Sequence, residues 1–393
     1  MKQEDQSGLL LLGVGGGGCR LAAAVKAAYG GGLRALGVDT DALSNRGAAA
    51  GGMTCLLLGG SRLAGHGTGG DAIQGRLAAQ DDMENLTAHL EGVRTVVVTA
   101  CLGGGTGGGA TPEIVKRLHD MGLATVCFVT RPFGFEGDAR LKAAERVLPM
   151  VEENADSMVV VPLDDLFGDA GGELLTDAIE KAEGLLAGGV TLLWRLLTKP
   201  GFIRLDPERL HAMVMKGGNA RFGFGAAAGA GRAGQAVAAL RAGRVLRSGD
   251  ALAKANALML GILAGPDLRL AEVGEVMQAV RDVCKRDCHV EMGTVLDPQF
   301  EGRLELVALA FESWTAALLP AEAAKGGTSS AEPPVAEAFP IQPGSRKGRG
   351  KSGSKLSFGA TGRGKFQNVE PTIYKGEDLD VPTFMRRGIT LER

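Results

Sequence analysis

The apolar residues in the first half of the chain come in short continuous runs, separated by longer stretches with helical spacing. The runs are Leu9–Val14, Leu33–Val38, Thr95–Ala100, Ala124–Thr130 and Ser157–Pro162. A strand that is apolar at every position is typical of a parallel sheet with helices on both faces. The pattern therefore predicts an α/β fold, with helices over Leu21–Tyr29 and Pro112–Met121.

In the second half of the chain, the apolar pattern no longer alternates regularly between strands and helices. A long helical pattern covers 174–198 and is expected to be interrupted at Gly188 and Gly189. Beyond it, the pattern predicts helices at Ala233–Leu240 and Val273–Val283 and strands at Ala257–Ala264 and Leu304–Ala310. We therefore expect a parallel-sheet domain over 8–173, a central helix over 174–198 and a smaller α+β domain over 199–315.

Residues 316–373 are rich in Pro, Gly, Ser and Ala and lack periodicity, which predicts a disordered linker. Its segment 343–366 carries seven basic residues and no acid, a charge that favours contact with an anionic membrane surface. Residues 374–393 mix apolar and charged positions and are predicted to be a partner-binding peptide. The formal charge of −2 for the whole chain argues against a nucleic-acid coat, and no specific nucleic-acid partner is expected.

The six cysteines are scattered through apolar segments, which fits buried thiols in a reducing cytoplasm. Cys284, Cys288 and His289 lie close together in the sequence and can be interpreted as part of a metal site. Because no second cluster completes it, we expect a structural role for them and no metal site held by the protein alone. No apolar stretch reaches the length of about 18 residues that a spanning helix needs.

Glycine accounts for 62 of the 393 residues, more than twice its usual share of about 7%. Two runs, Gly13–Gly18 and Gly103–Gly109, each follow a strand and precede a helix, where free N–H groups bind phosphate. The first run, with Asp39 further on, would alone favour a dinucleotide-dependent oxidoreductase. A second run changes the balance, since two such loops can hold a chain of two or three phosphates and Thr106 can donate to a phosphate oxygen.

Several segments, in the right order, resemble the tubulin and FtsZ superfamily of GTPases. They are Gly13–Gly18, Asp39–Ala42, Gly65–Asp71 with Gly75 and Arg76, Gly103–Gly109, Thr130–Gly137 with Arg140, Ala264–Leu270, Gly293–Pro298 and Asp378–Arg387. The second glycine run is the most specific of these motifs. The resemblance extends over most of residues 9–315.

The resemblance implies a site for GTP or GDP with Mg²⁺ bridging phosphate oxygens. Its phosphate-binding residues would be Gly16, Gly17 and Gly18 with the adjoining Cys19 and Arg20, and then Gly105, Thr106 and Gly107. Glu136 would accept hydroxyl groups of the ribose, and Arg140 would lie near the base and sugar. Gly184 stands where the family reads the guanine edge with a carboxylate.

Departures from the family concentrate in these loops. Arg20 and Leu163 replace asparagines, Asp39 replaces another, and Gly184 replaces the base-reading carboxylate. Arg20 either adds positive charge for the phosphates or blocks them by its bulk. Leucine has no hydrogen-bonding group. Glu183 is adjacent to Gly184 and is a candidate substitute, although one residue turns a helix by about 100°.

The catalytic loop is also altered. In the family, acids of one subunit enter the nucleotide site of the next subunit and polarise the attacking water. Asp206 matches the first acid, Arg209 stands at the second, and Glu208 is a candidate replacement. Two functions remain open: a GTPase that forms head-to-tail filaments and hydrolyses GTP between subunits, or a nucleotide-binding structural or regulatory homologue with slow or absent hydrolysis.

The resemblance also implies partners and a location. The chain would assemble with copies of itself, in the cytoplasm at the division site. The segment 377–387 resembles the peptide through which FtsZ binds membrane-tethering division proteins.

Overall fold

The computed structural model describes residues 8–29, 32–167, 175–198, 203, 213, 218–243, 246, 250–314, 373–374 and 377–378. Two compact units divide the chain, Met1–Ser330 and Ala331–Arg393. Apart from Ile373, the predicted linker over 316–373 lies outside the described residues, as does most of the predicted peptide over 374–393.

The strands of the first half form a parallel sheet in the order β3-β2-β1-β4-β5-β6. They are β1 (Leu9–Val14), β2 (Ala35–Asp39), β3 (Thr54–Leu57), β4 (Thr95–Cys101), β5 (Ala124–Arg131) and β6 (Ser157–Pro162). The parallel sheet predicted from the apolar runs is therefore confirmed, because those runs are buried between helical layers.

Helices alternate with these strands. They are α1 (Gly15–Tyr29), α2 (Ala42–Ala50), α3 (Gly60–Leu63), α4 (Ala72–Asp81), α5 (Met83–Ala88), α6 (Gly105–Asp120), α7 (Asp138–Glu152), α8 (Asp164–Phe167) and α9 (Leu175–Thr198), with a 3₁₀ turn at Gly134–Glu136. Asp41 and Asp71 cap α2 and α4, since their carboxylates accept from the backbone N–H groups of Leu43 and Ile73.

The helices α1 and α6 begin within the glycine runs, at Gly15 and Gly105, whereas the sequence predicted that the helices begin after them. A Cβ on Gly107 would lie 2.2 Å from the carbonyl oxygen of Cys101, and one on Gly109 would lie 2.0 Å from that of Ala72. Glycine is a poor helix former, but here α6 packs so closely on β4 and α4 that no other residue fits.

The interruption predicted within the long helix is wrong, because α9 runs continuously from Leu175 to Thr198. A Cβ on Gly189 would lie 1.7 Å from the ring of Phe222. The glycine therefore serves packing between α9 and the second half of the chain.

The second half extends the same sheet through β7-β10-β8-β9. Its elements are β7 (Gly218–Ala228), α10 (Arg232–Ala242), α11 (Asp250–Lys254), β8 (Ala257–Ala264), α12 (Leu270–Arg281), β9 (His289–Leu296), a 3₁₀ turn (Pro298–Phe300) and β10 (Arg303–Phe311). β10 is antiparallel to β7 and β8, while β7 pairs in parallel with β6 from Ser157 opposite Gly218. In the second compact unit, β11 (Ile373–Tyr374) pairs with β12 (Glu377–Asp378).

One apolar core joins the two halves of the sheet through α9. Leu186, Val190 and Trp194 of α9 belong to the same buried cluster as Phe222 and Met259. A buried ion pair reinforces this contact: Arg195 donates to Asp297 at 2.9 Å and to the carbonyl oxygen of Ala28 at 3.4 Å. The helix thus ties α1 to the second half of the chain.

A second buried arginine, at the start of α10, joins that helix to the start of α12 and to the turn before it. Arg232 donates to Glu272 through two nitrogens and to Asp267 at 2.7 Å. The hydrogen bonds from Arg232 hold the pKa of Glu272 below its usual value. No described helix is long and apolar enough to cross a membrane.

Candidate functional site

A cavity of about 730 Å³ opens at the carboxyl edge of the parallel strands. In sheets of this kind, ligands bind where the strands end and the helices begin. The lining comes from the ends of β1, β2, β4 and β5, from the N-termini of α1 and α6, and from α9. The cavity has the size of a nucleotide site.

The N-termini of α1 and α6 meet at one end of this cavity. Gly15, at φ +70°, lies so close to α6 that a Cβ on it would be 2.9 Å from the backbone nitrogen of Gly107. Gly16, Gly17, Gly104 and the following residues of α6 line the cavity with backbone. Two helix N-termini that converge on one space present N–H donors and positive dipole ends, which suits a chain of phosphates. We call this part the phosphate end.

Two threonines and an aspartate complete the phosphate end. The hydroxyl groups of Thr40 and Thr106 are hydrogen-bonded at 2.7 Å, and both residues are buried. Asp39 is also buried, and its Oδ1 accepts from the backbone nitrogen of Thr40 at 2.8 Å. These side chains are held by the protein itself and are therefore positioned before any ligand binds.

Glu136 and Arg140 form an ion pair on the wall that follows β5. Oε1 of Glu136 also accepts from the backbone nitrogen of Phe133 at 3.0 Å, so the carboxylate fixes the turn on which it lies. The rings of Phe133 and Phe135 stack beside it with centroids 4.7 Å apart. This wall offers a carboxylate and a guanidinium group to a polar ligand.

The other end of the cavity is made of side chains. Leu163, Leu186, Leu21, Arg20 and Glu183 line it. Arg20 of α1 and Glu183 of α9 are joined by an ion pair, Nε to Oε1, at 3.0 Å. We call this part the side-chain end.

The family comparisons agree with this geometry. Residues 9–171 match the model of the Tubulin/FtsZ family GTPase domain, and residues 218–312 match that of the FtsZ family C-terminal domain. The cell division protein FtsZ of Pseudomonas putida is 33% identical over 303 residues, 76% of this chain and 75% of that protein. That of Pseudomonas aeruginosa is 33% identical over 301 residues, 76% of each.

This chain belongs to the tubulin/FtsZ family. A solved FtsZ dimer of M. jannaschii superposes with a TM-score of 0.72 at 28% identity, covering 77% of this chain and 87% of that one. A GTPγS-bound protofilament of CetZ2 from Haloferax volcanii has a TM-score of 0.63 at 24% identity, covers 79% and 92%, and shares the fold. The family and the fold class expected from the motifs are therefore confirmed.

The structure brings most of the residues implied by the family motifs to this one cavity. They are Gly16, Gly17, Arg20, Gly105, Thr106, Gly107, Glu136 and Arg140. The glycines that line the cavity differ in what requires them. A Cβ on Gly17 would lie 2.5 Å from the sulfur of Cys101, so packing requires glycine there, whereas a Cβ on Gly104 would meet nothing within 4 Å and only face the cavity.

Three of the expected residues do not line the cavity. Gly18 packs against β4, where a Cβ would lie 2.2 Å from the carbonyl oxygen of Thr99. Cys19 is buried behind the wall, and burial together with the charge of Asp39 raises the pKa of its thiol to about 12. Gly184 is exposed on α9, and the cavity is lined by its neighbour Glu183 instead.

Other lining residues were not singled out from the sequence. Cys101 lies beneath the first glycine run, and burial raises the pKa of its thiol. Thr40 lies within the Asp39–Ala42 motif, which by itself gives this threonine no role. The signal for Cys101 is its place at the end of β4, two residues before the second glycine run, and the signal for Thr40 is the Asp-Thr-Asp sequence at the end of β2.

The expected catalytic residues Asp206 and Glu208, together with Arg209, lie outside the described residues. Cys284, Cys288 and His289 are described. Nowhere in the described ranges does a group of three or more His, Cys, Asp or Glu side chains form a metal-binding arrangement.

Proposed function

We propose that this chain binds GTP in the cavity, assembles head to tail with further copies and hydrolyses GTP at the contact between them. The observation that carries the nucleotide part is the convergence of α1 and α6, with Gly15 against Gly107, at the phosphate end. That geometry supplies backbone donors for several phosphates. Membership of a GTPase family supports the hydrolytic reaction.

A Mg²⁺ ion fits the phosphate end. Asp39 is a buried carboxylate that lines the same space as the glycine runs, and it would repel a triphosphate by itself. Asp39 and Thr106 are hard oxygen donors, which Mg²⁺ prefers together with phosphate oxygens and water. When bound, the ion would neutralise phosphate charge.

Head-to-tail assembly is supported by the surface around the cavity. Leu43 and Ile73, in the first turns of α2 and α4, are 72% and 61% exposed, and Phe135 is 69% exposed. Leu43 and Phe135 follow the ends of β2 and β5 by four residues, and Ile73 follows Gly70 and Asp71, whose backbone lies 2.8 Å and 2.9 Å from a Cβ built on Gly105. Large apolar side chains exposed around the opening of the cavity suit a contact with another protein. A contact between this edge and a different surface of the next copy does not close and continues as a filament.

Asp206 and Glu208 are proposed to act on the nucleotide of the neighbouring copy, polarising the attacking water. Arg209 favours a second candidate, a nucleotide-binding structural or regulatory protein with slow or absent hydrolysis. An arginine does not accept a proton, because its pKa exceeds about 12.

Phosphate release from GTP, measured against protein concentration with sedimentation in parallel, separates these functions. Hydrolysis between copies gives a critical concentration below which no phosphate appears. Polymer without phosphate release selects the second candidate.

Asp206→Ala should reduce phosphate release while nucleotide binding stays within a few fold. Equal loss of phosphate release and nucleotide binding would show a structural role for Asp206.

The segment 374–393 is proposed to bind membrane-tethering division proteins, and the basic stretch 343–366 to contact anionic membrane. Deleting 374–393 should leave nucleotide binding and polymerisation intact and abolish recruitment to the division site. A truncated protein that still localises normally would contradict this.

A further inference from the structure

Cys284 and Cys288 lie together on the turn that connects α12 to β9. Cys284 follows the end of α12 at Arg281, and Cys288 directly precedes His289, the first residue of β9. The two side chains are half-buried and hydrogen-bonded to each other. Both pack against the buried apolar cluster that α10, α12 and β8 form, so their carbon atoms are anchored while their sulfurs stay within reach of solvent.

Backbone hydrogen bonds hold this turn in place. The nitrogen of Cys284 donates to the carbonyl oxygen of Val280 at 3.1 Å. The nitrogen of Cys288 donates to the carbonyl oxygen of Lys285 at 3.1 Å. Asn256 bonds to the turn twice: its side-chain oxygen accepts from Lys285 Nζ, and its carbonyl oxygen accepts from the first backbone nitrogen of β9, both at 2.9 Å. The fold therefore keeps the two sulfurs next to each other.

The two thiols differ in acidity. The hydrogen bond from Cys288 lowers the pKa of the Cys284 thiol, although burial opposes this effect. The same hydrogen bond, together with burial, raises the pKa of Cys288. The proton of Cys288 can also go to the carbonyl oxygen of His289, which lies 3.9 Å from the sulfur. Cys284 is thus suited to be the attacking thiolate, with a protonated thiol held beside it.

The other four cysteines have the opposite character. Burial raises the pKa of Cys19, Cys55, Cys101 and Cys127. Of the six cysteines, all of which the structure describes, Cys284 alone has a lowered pKa.

A metal ion suits the pair less well than a reaction between its sulfurs. A structural zinc site takes four ligands. Within the described part of the chain, no group of three or more His, Cys, Asp or Glu side chains that could hold a metal includes these two thiols. Two sulfurs in contact, one of them acidic, have what thiol–disulfide exchange requires.

We propose that Cys284 and Cys288 are a redox-active pair that reduces a low-molecular-weight disulfide and closes to an intramolecular disulfide. The Cys284 thiolate attacks one sulfur of the small disulfide, whose S–S bond breaks and releases a thiolate. That thiolate takes the proton of Cys288, and the Cys288 sulfur then attacks the Cys284 sulfur. The mixed disulfide breaks, and the second small thiolate leaves and takes a proton from water. The pair loses two electrons, and the small disulfide becomes two thiols.

The closed pair would tie the end of α12 to the start of β9, which is the edge strand of the sheet. Neither cysteine lines the cavity, so this reaction is independent of the proposed nucleotide site.

The test treats the reduced full chain with oxidised glutathione, stops the reaction with acid and alkylates the remaining thiols. Trypsin cleaves after Lys285 and Arg286, which places the two cysteines on separate peptides, so mass spectrometry detects the closed pair as linked peptides. The same measurement is made on Cys284→Ser, Cys288→Ser and Cys55→Ser. Cys55→Ser is the matched control, because Cys55 is also half-buried and lies on β3.

The full chain should give linked peptides within a single chain, and dithiothreitol should restore both thiols. Cys288→Ser should stop at a glutathione adduct on Cys284, because no second thiol displaces it. Cys284→Ser should react at Cys288 about tenfold or more slowly, since the thiolate is the attacking form. Cys55→Ser should form the linked peptides at the rate of the full chain. Thermal melting shows whether each variant is folded, and the full-chain result needs no substitution.

A glutathione adduct that persists on Cys284 of the full chain, without linked peptides, would overturn the proposal. Equal reaction rates of Cys284 in Cys288→Ser and of Cys288 in Cys284→Ser would also overturn it, because neither thiol would then be the attacking one. A disulfide between two chains in place of one within the chain would contradict the pairing.

Discussion

The two ends of the cavity are built from different parts of the chain. At the phosphate end the lining is mostly backbone, and Gly17, Gly105 and Gly107 are required because other atoms lie 1.9–2.5 Å from where a Cβ would be. At the side-chain end the lining is Arg20, Glu183 and three leucines. The shape of the phosphate end is determined by how helices pack on strands. The chemistry of the side-chain end is determined by which side chains occupy the wall.

This difference affects how each end can change. A substitution at the phosphate end disturbs the fold and the ligand together, so its sequence pattern persists as a recognisable motif. A substitution of Arg20 or Leu163 at the side-chain end alters mainly what the wall offers to the ligand, because neither side chain is buried in the core. Both residues depart from the family pattern, as Gly184 does on the exposed face of α9, yet α1 and α9 still pack together.

The largest effect is expected from Gly107→Ser. Its Cβ would lie 2.2 Å from a backbone oxygen of β4, which cannot move without disturbing the sheet. We expect a loss of about 2–3 kcal/mol in the free energy of unfolding, together with loss of nucleotide binding. Denaturant unfolding and a nucleotide titration measure both.

Gly104→Ser is the matched control for Gly107→Ser. Nothing lies within 4 Å of its Cβ, and position 104 is the N-cap of α6, which serine suits. Its stability should change by less than about 0.5 kcal/mol, while the side chain in the cavity lowers nucleotide affinity. Equal destabilisation of both variants would break the distinction between packing and lining glycines.

Thr106→Ala should have a moderate effect on both properties. It removes a hydroxyl group from the phosphate end and leaves the buried hydroxyl of Thr40 without its partner at 2.7 Å. We expect a stability loss of about 1–3 kcal/mol and weaker nucleotide binding. The double variant Thr40→Ala/Thr106→Ala should be no less stable than Thr106→Ala, because the two hydroxyls act as one unit. Strict additivity in urea unfolding would contradict this.

Leu163→Asn should change ligand binding without a matching change in stability. Leu163 is half-buried on the cavity wall, and an amide there offers both a donor and an acceptor to a base. We expect GTP to bind several-fold more tightly, with a stability change below about 1 kcal/mol. Destabilisation as large as that of Gly107→Ser would show that this end is also a packing element.

The smallest effect concerns cysteine alkylation at pH 8. The thiolate is the reactive form. Cys19 should stay unlabelled, because burial raises its pKa to about 12. Cys101, whose pKa is also raised by burial, lines the cavity and should react slowly, faster as the pH rises, and more slowly when GDP is bound. Peptide mass spectrometry measures both sites, with Cys284 outside the cavity as the internal control.

The sequence predicts best where one local cause decides the structure. The bounds of β1, β6 and β8 follow directly from their apolar runs, since nearly every position is apolar and buried. β7 and β9 were not predicted: β7 is rich in Gly and Ala, and much of β9 is half-exposed. Their strand conformation is decided by their neighbours in the sheet.

The same distinction holds in the cavity. The glycine runs and Thr106 are recognisable locally, because a strand and a helix flank them. That Glu183 and not position 184 lines the cavity depends on the rotation of α9, which is set by its packing against α1 and Phe222. The Arg20–Glu183 ion pair joins two distant helices and has no local signal.

The core around Trp194 determines whether the two sequence domains of this chain can fold or evolve separately. The two family models cover separate stretches of sequence, yet Trp194 and Leu193 pack with Phe222, and β6 shares a ladder with β7. A protein cut after residue 171 would leave β6 as an open strand edge and lose the helix that covers its sheet, a state prone to aggregation. The two stretches are separate in the sequence but share one core and one sheet. We therefore expect that recombination between related genes can exchange them only together.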